Sequence, residues 1–313
     1  MKLIKSLALA SLFSYGCATE KNTLVDDFLI NENRFITSKK YKITFDEIIK
    51  DIVPKLKKPN KSDGYINLHN LKTIDWYLRK SEMNKNGLFS YKSNLLLSTC
   101  FTDKIMDCDT AVTLYLGIDD VYKLNIYPVY APTHALLGLK YNGSEMFWET
   151  TKGRTISKEK LIKEFNISKK AIDEGIWLTK KTRKEYSAIN YINLAAFQYK
   201  HGDNFGALDN LDYALKLDKK NPFAKVLKGE IFIQLSKNVK ETNKIYYNNY
   251  MEQALDCFSE VLSKDPNNFV AYEELTKYYL IKGDKETAIK SLKISYKLKK
   301  RDKILKIIKK LEN

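Results

Sequence analysis

Histidine and cysteine, two common metal ligands, are scarce in this sequence. The chain of 313 residues has only 3 histidines and 4 cysteines, and the cysteines form no CxxC pair. The histidines are too scattered along the chain to give the spacing of a metal-ligand set. We therefore predict neither a metal site nor another cofactor site.

A long apolar run is also lacking near the N-terminus. The run from Leu7 to Phe13 lies close to two lysines and is too short to cross a bilayer as a helix, which is typical of a secretion signal. The following stretch, Ser14-Tyr15-Gly16-Cys17, resembles a bacterial lipobox, in which the cysteine is lipidated and becomes the mature N-terminus. This resemblance implies a signal peptide over residues 1–17 and a lipid on Cys17. The protein would then be anchored to a membrane of the bacterial cell envelope, either periplasmic or facing the surface. Ordinary signal cleavage near Ala18 is the alternative.

Acidic residues are fewer than basic ones, 38 against 54, so the net charge is +16. The excess comes mostly from lysines that are spread through every segment, a pattern typical of a solvated surface. No motif combines aromatic and basic residues as nucleic-acid-binding modules do, so nucleic acid is not a predicted partner. A membrane surface or an acidic polymer stays open as an anionic partner.

The length and the hydrophobic content of 44% suit two domains of ordinary size. The polar, mixed residues 18–40 are interpreted as a tether between the signal and the first domain. That domain is predicted over residues 41–180. An all-helical repeat domain is predicted over residues 181–313, with few contacts between its last unit and the first domain.

The first domain begins with helical patterns. One helix is predicted at about residues 45–53. Thr44 and Glu47 have capping-box spacing, and the apolar residues from Phe45 to Val53 share one face. Pro54 is expected to kink or end this helix. A second helix is predicted at roughly residues 65–80.

The C-terminal part is repetitive. Ala207, Ala254 and Ala288 take the same place in three related units, and the last two are 34 residues apart, which is the tetratricopeptide period. The first gap is longer by 13 residues, and we place this insertion in the polar stretch from Ser236 to Tyr250. A helix at about 300–311, apolar on one face and lysine-rich on the other, is predicted to cap the array.

Cys108 is predicted to open a helix that runs to about Leu116. Asp107 precedes it as a helix N-cap, and Gly117 is expected to end it. The first turn of a helix favours a thiolate, because its N–H groups are free and the helix dipole attracts negative charge. Two alternatives stay open for this thiol, a local disulfide with Cys100 and a role as a small buried side chain.

A predicted hairpin is expected to bring a histidine and a glutamate together. Asn142-Gly143 is a strong turn signal between two apolar-rich runs. With a two-residue turn, His134 lies opposite Thr151, and Glu149 is its diagonal neighbour on the same face. A three-residue loop would place the two side chains on opposite faces. The imidazole is suited to take the proton of a thiol, and a third polar group is suited to fix the tautomer of that imidazole.

These three positions lie in motifs that resemble a known family. Met106-Asp107-Cys108-Asp109, Pro132-Thr133-His134 and Trp148-Glu149-Thr150-Thr151 are similar to the Cys, His and Asp/Glu boxes of the transglutaminase-like superfamily. They most resemble bacterial members that carry tetratricopeptide repeats behind that domain. The resemblance implies an α+β fold, with a papain-like domain followed by an all-α tetratricopeptide repeat array. It also implies that Cys108 is the nucleophile, His134 the base and Glu149 the orienting residue, although many relatives have aspartate at the third place.

The predicted function is cysteine-dependent acyl transfer. Attack on an amide or peptide carbonyl would form a thioester, which water or an amine would resolve, so the enzyme would be a hydrolase of the cysteine-peptidase kind or a transamidase. The repeats would bind a protein or peptide partner. The alternative is a non-catalytic envelope lipoprotein that uses both domains as a binding scaffold.

Two sequence features argue against high activity. Asp107 and Asp109 flank the thiol, and nearby negative charge raises the pKa of a thiol. An oxyanion donor beyond the N–H of Cys108 is not evident either. The upstream polar residues Asn94, Ser98 and Thr99 are equivalent candidates for that role.

Overall fold

The computed structural model describes residues 22–34, 41–58, 64–93 and 96–312. The predicted signal peptide and the lipid-bearing Cys17 lie outside these residues, as does Asn94, one of the candidate oxyanion donors. Membrane anchoring and location in the cell envelope therefore stay predictions. Among the described residues, no helix combines the length and the apolar character needed to cross a membrane.

The first half of the chain consists of short helices and small sheets. Its helices and strands, in chain order, are α1 (Leu24–Glu32), α2 (Phe45–Ile52), α3 (Gly64–Leu78), β1 (Ser90–Tyr91), α4 (Leu97–Asp103), β2 (Ile105–Met106), α5 (Cys108–Tyr122), β3 (Tyr127–Ala131), β4 (His134–Tyr141), β5 (Ser144–Glu149), β6 (Arg154–Ile156), α6 (Lys158–Phe165), α7 (Lys169–Asp173) and α8 (Arg183–Tyr186).

The second half is helical. Its elements are α9 (Ala188–Lys200), α10 (Asn204–Leu217), α11 (Pro222–Val239), α12 (Lys244–Lys264), α13 (Phe269–Lys282), α14 (Lys285–Leu298) and α15 (Asp302–Glu312). Each of these helices packs on the next, which gives three stacked pairs and a terminal helix.

The fold-class prediction is wrong. Helices make up 64% of the described residues, and the sheets are small: a two-stranded parallel pair, β1-β2, and a four-stranded antiparallel meander, β3-β4-β5-β6. One hydrophobic cluster runs from Leu24 in α1 to Tyr278 in α13, so the sheet is embedded in a continuous helical core. The described residues have a helical, repeat-like fold and no clear transglutaminase-like (papain-like) core. The motifs used for the prediction are short and local, and they do not fix how the surrounding helices pack.

Several local predictions are confirmed. The predicted helix at 45–53 is α2, with Thr44 and Glu47 forming a reciprocal capping box, and Pro54 lies in the short 3-10 turn that follows it. The predicted helix at 65–80 is α3.

The segment interpreted as a tether contains a buried helix. In α1, Leu24, Val25 and Phe28 lie in the core. Glu32, at the end of α1, is buried as well, and it accepts hydrogen bonds from the backbone N–H groups of Leu97 and Ser98 at the start of α4. Described residues of this segment are therefore part of the folded body, and the tether prediction fails for them.

Gly117 does not end the helix that Cys108 begins. α5 continues to Tyr122 and is closed by Lys123 in a left-handed conformation. A Cβ atom at Gly117 would lie 2.6 Å from Val25 Cγ2 and 2.7 Å from Phe45 Cζ. The glycine therefore permits the close approach of α1 and α2 to α5, which is a packing role.

The repeat phase predicted from the alanines agrees with the structure. Ala207, Ala254 and Ala288 are all fully buried, in the second helix of each pair. The predicted insertion between Ser236 and Tyr250 does not form a loop. It extends the second pair, whose helices α11 and α12 have 18 and 21 residues, whereas α13 and α14 have 14 each.

The repeats are joined to the first half by direct contacts. The indole N–H of Trp177 donates a hydrogen bond of 2.8 Å to Asp265, which precedes α13. Asn267 donates one of 2.9 Å to the carbonyl of Asn166. These direct contacts are few, which agrees with the expectation for the last unit and the first domain, and the division near residue 181 stays a prediction.

Candidate functional site

Cys108 is the first residue of α5 and carries a free thiol. Asp107 caps the helix, because its carboxylate accepts a 3.1 Å hydrogen bond from the N–H of Thr110. The predicted helix start is confirmed. A disulfide between Cys108 and Cys100, one of the open alternatives, is not present.

His134 is the first residue of β4 and follows a tight connection from β3. Ala131 pairs with His134, so Pro132 and Thr133 alone make the turn. Thr133 has a φ of 59°, a left-handed conformation that is strained for a β-branched residue. The imidazole ring of His134 is stacked on Phe165 at the end of α6, with ring centroids 5.9 Å apart.

Glu149 holds the imidazole. The hairpin has the predicted register, with Leu137 opposite Trp148, and the Asn142-Gly143 turn has positive φ at both residues. Glu149 Oε1 lies 3.0 Å from His134 Nε2 and accepts a second hydrogen bond, of 2.9 Å, from the N–H of Thr151. Burial on its own would raise the pKa of Glu149, but the hydrogen bonds from His134 and Thr151 outweigh it and lower the pKa to about 2. The carboxylate is therefore ionised throughout the physiological pH range. Because Nε2 of His134 is bonded to it, Nδ1 is the ring nitrogen that can accept a proton from another group.

The sulfur of Cys108 lies at the start of the strand that carries this histidine. The backbone N–H of Ala135 forms a hydrogen bond to Cys108, which favours the thiolate. Burial, followed by the charges of Asp109 and Asp107, acts in the opposite direction and raises the pKa of the thiol well above its ordinary value. The resting site therefore holds a neutral thiol at neutral pH.

Asp109 has the strongest electrostatic influence of a single side chain on this thiol. Its Oδ1 lies 3.7 Å from Cys108 Sγ. Burial, with a contribution from Asp107, raises the pKa of Asp109 to about 7, although His134 and a hydrogen bond from Asn193 act against the shift. The charge beside the thiol therefore changes near neutral pH.

A cavity of about 340 Å³ joins this site to the repeats. Cys108, Asp109 and His134 line it together with residues of the first helix of every repeat pair. The contributors from the repeats are Ile189, Ile192, Asn193, Pro222, Phe223, Val226, Leu227, Glu230, Asn268, Phe269, Val270 and Glu274. The thiol and the imidazole thus face a mostly apolar space that the repeats enclose.

Sequence reasoning missed the residues that the repeats contribute. Asn193, Glu230 and Glu274 lie on helices whose apolar pattern is fully explained by stacking, and nothing in their spacing relates them to Cys108. The proposed oxyanion candidates lie elsewhere. The N–H of Ser98 donates to Glu32 and the hydroxyl of Thr99 donates to the carbonyl of Leu96, and neither residue lines the cavity.

The geometry brings Cys108, His134 and Glu149 together, and the catalytic role of each stays a prediction. No family model matches the chain, and no curated protein matches it either. Solved structures similar to it include a human IFIT1 dimer with PPP-AAAA and a monomeric IFIT1 mutant with Gppp-AAAA, each 17% identical with a TM-score of 0.34. The alignment covers 80% of this chain, and the chain spans 44% of the length of those proteins. At this TM-score, the similarity carries no information about function.

Proposed function

We propose that this protein is a cysteine-dependent acyl-transfer enzyme that acts on an amide or peptide carbonyl bound in the cavity between α5, β4 and the repeats. One observation carries the proposal. Cys108 and His134 line the same cavity, and Glu149 is hydrogen-bonded to Nε2 of His134, which leaves Nδ1 to act as the base. A nucleophile, a base and an orienting group in this order are the components that acyl transfer through a thiol requires.

The reaction follows from these positions. His134 Nδ1 takes the proton of the Cys108 thiol, and the sulfur attacks the carbonyl carbon of the amide. The carbon–sulfur bond forms, the carbon–nitrogen bond breaks, and the protonated imidazole returns the proton to the leaving amine. Water or a second amine then attacks the thioester, which releases the acid or a new amide and restores the thiol. Glu149 stabilises the imidazolium that exists between these proton transfers.

The raised pKa of Cys108 decides how the nucleophile is generated. Because burial, Asp109 and Asp107 keep the thiol protonated, a standing thiolate–imidazolium pair is not the resting state. His134 therefore acts as a general base once a substrate fills the cavity, in the manner of a serine hydrolase.

The test is a product screen of the full chain. A peptide pool from a digested bacterial proteome is incubated with wild type and with Cys108→Ala in H₂¹⁸O, with and without added cadaverine. We expect products that depend on Cys108, with ¹⁸O in the new carboxyl group for hydrolysis or cadaverine in the product for transamidation. His134→Ala should lower the rate by about 10²- to 10⁴-fold, the usual contribution of general acid–base catalysis.

Cys257 provides the matched control, because Cys257→Ala removes a thiol on repeat helix α12 that does not line the cavity. This variant should give the wild-type product profile. If wild type and Cys108→Ala give the same products, the enzymatic proposal is wrong.

A non-catalytic binding scaffold is the second candidate. Asp109, at 3.7 Å from the sulfur, favours it, because a negative charge in this place suppresses the nucleophile. On this alternative, peptides from the pool would be retained by wild type and by Cys108→Ala alike, and neither protein would change them.

A further inference from the structure

The cavity carries two carboxylates that the acyl-transfer proposal does not use. Glu230 on α11 and Glu274 on α13 both line it. They come from the second and third repeat pairs, which lie far from Cys108 in the sequence. An acidic pair in a mostly apolar cavity requires an explanation, because buried charges are normally paired.

One lysine serves both carboxylates. Lys277 Nζ lies 2.7 Å from Glu274 Oε1 and 3.0 Å from Glu230 Oε1. The two carboxylates share this one lysine as an ion-pair partner, and the group of three carries a net charge of −1 when all of its members are ionised. Lys237 adds a weaker positive influence on Glu274 without forming an ion pair with it.

Glu274 is incompletely satisfied. The residue is only 6% exposed, and its second oxygen, Oε2, has no hydrogen-bond partner among the described residues. Burial, followed by the charge of Glu230, raises the pKa of Glu274 to about 7 despite the hydrogen bond from Lys277. A buried carboxylate oxygen without a donor is costly, and a cation with N–H donors would remove that cost.

We infer that Glu274 and Glu230 form a subsite for the ammonium or guanidinium group of a lysine or arginine side chain in the bound peptide. The inference rests on the proposed function in that it names the substrate class of the same cavity. The apolar side chains of Val226, Phe269 and Val270 line the same cavity and suit the methylene stem of such a side chain. A basic residue held here would present the peptide carbonyls to the part of the cavity that Cys108 and His134 line.

Binding is measured on the full chain with Cys108→Ala, so that turnover plays no part. The probes are fluorescein-labelled Ala-Ala-Lys-Ala-Ala, its arginine counterpart, and a norleucine counterpart that keeps the stem and lacks the charge. Fluorescence anisotropy should show that the lysine and arginine peptides bind at least about tenfold more tightly than the norleucine peptide, as expected for a charge-assisted buried hydrogen bond.

Adding Glu274→Gln should remove most of this preference and leave the affinity for the norleucine peptide unchanged. Glu286→Gln is the matched control, because Glu286 lies on the exposed face of α14 with its side chain 79% accessible. It should keep the full preference. Glu230→Gln, which leaves Glu274 in place, should weaken the preference as well. This second variant keeps the test decisive if Glu274→Gln fails to fold.

Equal affinity for the lysine and norleucine peptides would overturn the inference, as would a preference that survives both carboxylate variants. This result is separable from failure of the acyl-transfer proposal. A charge preference without products dependent on Cys108 supports the subsite and refutes the enzyme. Products dependent on Cys108 that form equally from uncharged peptides refute the subsite alone.

Discussion

Among single residues, Asp109 has the main control over the ionisation of the Cys108 thiol. Its carboxylate lies 3.7 Å from the sulfur and is largely ionised above pH 7, where its charge opposes formation of the thiolate. Asp109→Asn keeps the shape of the side chain and removes this charge. We expect iodoacetamide to label Cys108 several-fold faster in this variant at about pH 8. Labelling is measured by peptide mass spectrometry.

Cys257 is an internal reference in the same experiment. Burial raises the pKa of its thiol to about 11, and Asp109 is not among the groups that shift it. Its labelling rate should therefore be the same in both proteins. Unchanged labelling of Cys108 in Asp109→Asn would show that Asp109 does not control the thiol.

The same substitution predicts a change in the pH dependence of stability. The pKa of Asp109 is raised by burial to about 7, above its ordinary value of 3.8. Between these values the folded state holds a proton that the unfolded state has released, so the free energy of unfolding falls as the pH rises through this window. Asp109→Asn should make that fall smaller in urea unfolding at about pH 5 and pH 8. The fall should not vanish, because Glu274 contributes with the same sign. Parallel pH profiles for the two proteins would contradict the prediction.

A third prediction concerns the tautomer of the His134 side chain. A neutral imidazole that donates from Nε2 to Glu149 must leave Nδ1 unprotonated. Nitrogen NMR of the ring should therefore show the Nε2–H tautomer in wild type, and a mixture in Glu149→Ala. His201 has the opposite arrangement, because its Nδ1 lies 2.8 Å from the carbonyl of Phe197, and it should stay Nδ1–H in both proteins. An Nδ1–H tautomer for His134 in wild type would remove the proposed base.

Elements were predictable where their cause is local. The capping box of α2, the N-cap of α5 and the Asn142-Gly143 turn each depend on residues within a few positions, and the structure has all three. The hairpin turn then sets the register, and the register sets the contact between His134 and Glu149. The prediction that Gly117 ends a helix is wrong, because a glycine at a helix end and a glycine at a helix crossing have the same appearance in a sequence. Only the neighbouring Val25 and Phe45 distinguish them.

The repeat elements give a fourth prediction. Ala288 is fully buried in α14, where α13 and α14 pack together. Ala288→Leu should overpack this contact and lower the free energy of unfolding by about 1–3 kcal/mol. The small cluster of Leu292, Ile304 and Ile308 that attaches α15 should loosen with it.

Lys290→Leu is the control for Ala288→Leu, because it adds a leucine to an exposed position of the same helix. Its stability should stay within about 0.5 kcal/mol of wild type. Both variants are compared by urea unfolding. Wild-type stability for Ala288→Leu would mean that the repeat phase is wrong.

The arrangement of the whole molecule was the least predictable from the sequence. The helix within the supposed tether has only nine residues, and it is folded because Glu32 bonds to α4 and because Leu24, Val25 and Phe28 find a core supplied by later elements. The cavity likewise depends on contacts between positions that are far apart in the chain, such as Trp177 with Asp265. Such pairings have no local signature. The motifs therefore predict neither the continuous core nor the presence of Glu230 and Glu274 in the cavity.

Trp177 tests whether the two halves behave as one cooperative unit. It is 1% exposed, lines the cavity, packs on Phe223 of α11 with ring centroids 5.4 Å apart, and donates its indole N–H to Asp265. Trp177→Phe keeps an aromatic ring and removes the donor. Asp265, only 2% exposed, then retains the side-chain amide of Asn268 and loses its bond to the first half. We expect the free energy of unfolding to fall by about 1.5–3 kcal/mol, the usual contribution of a hydrogen bond to a charged group.

The number of unfolding transitions distinguishes a single cooperative folding unit from two independent domains. If the core is continuous, calorimetry of Trp177→Phe should show a single transition at a lower temperature, and amides in α5 and in α13 should lose hydrogen-exchange protection together. Trp76→Phe is the matched control, because Trp76 is 61% exposed and should leave both measurements unchanged. Two separate transitions, with protection lost in α13 and kept in α5, would instead support independent domains divided near residue 181. The cavity would then form at a boundary that opens, and peptide access to Cys108 would depend on that opening.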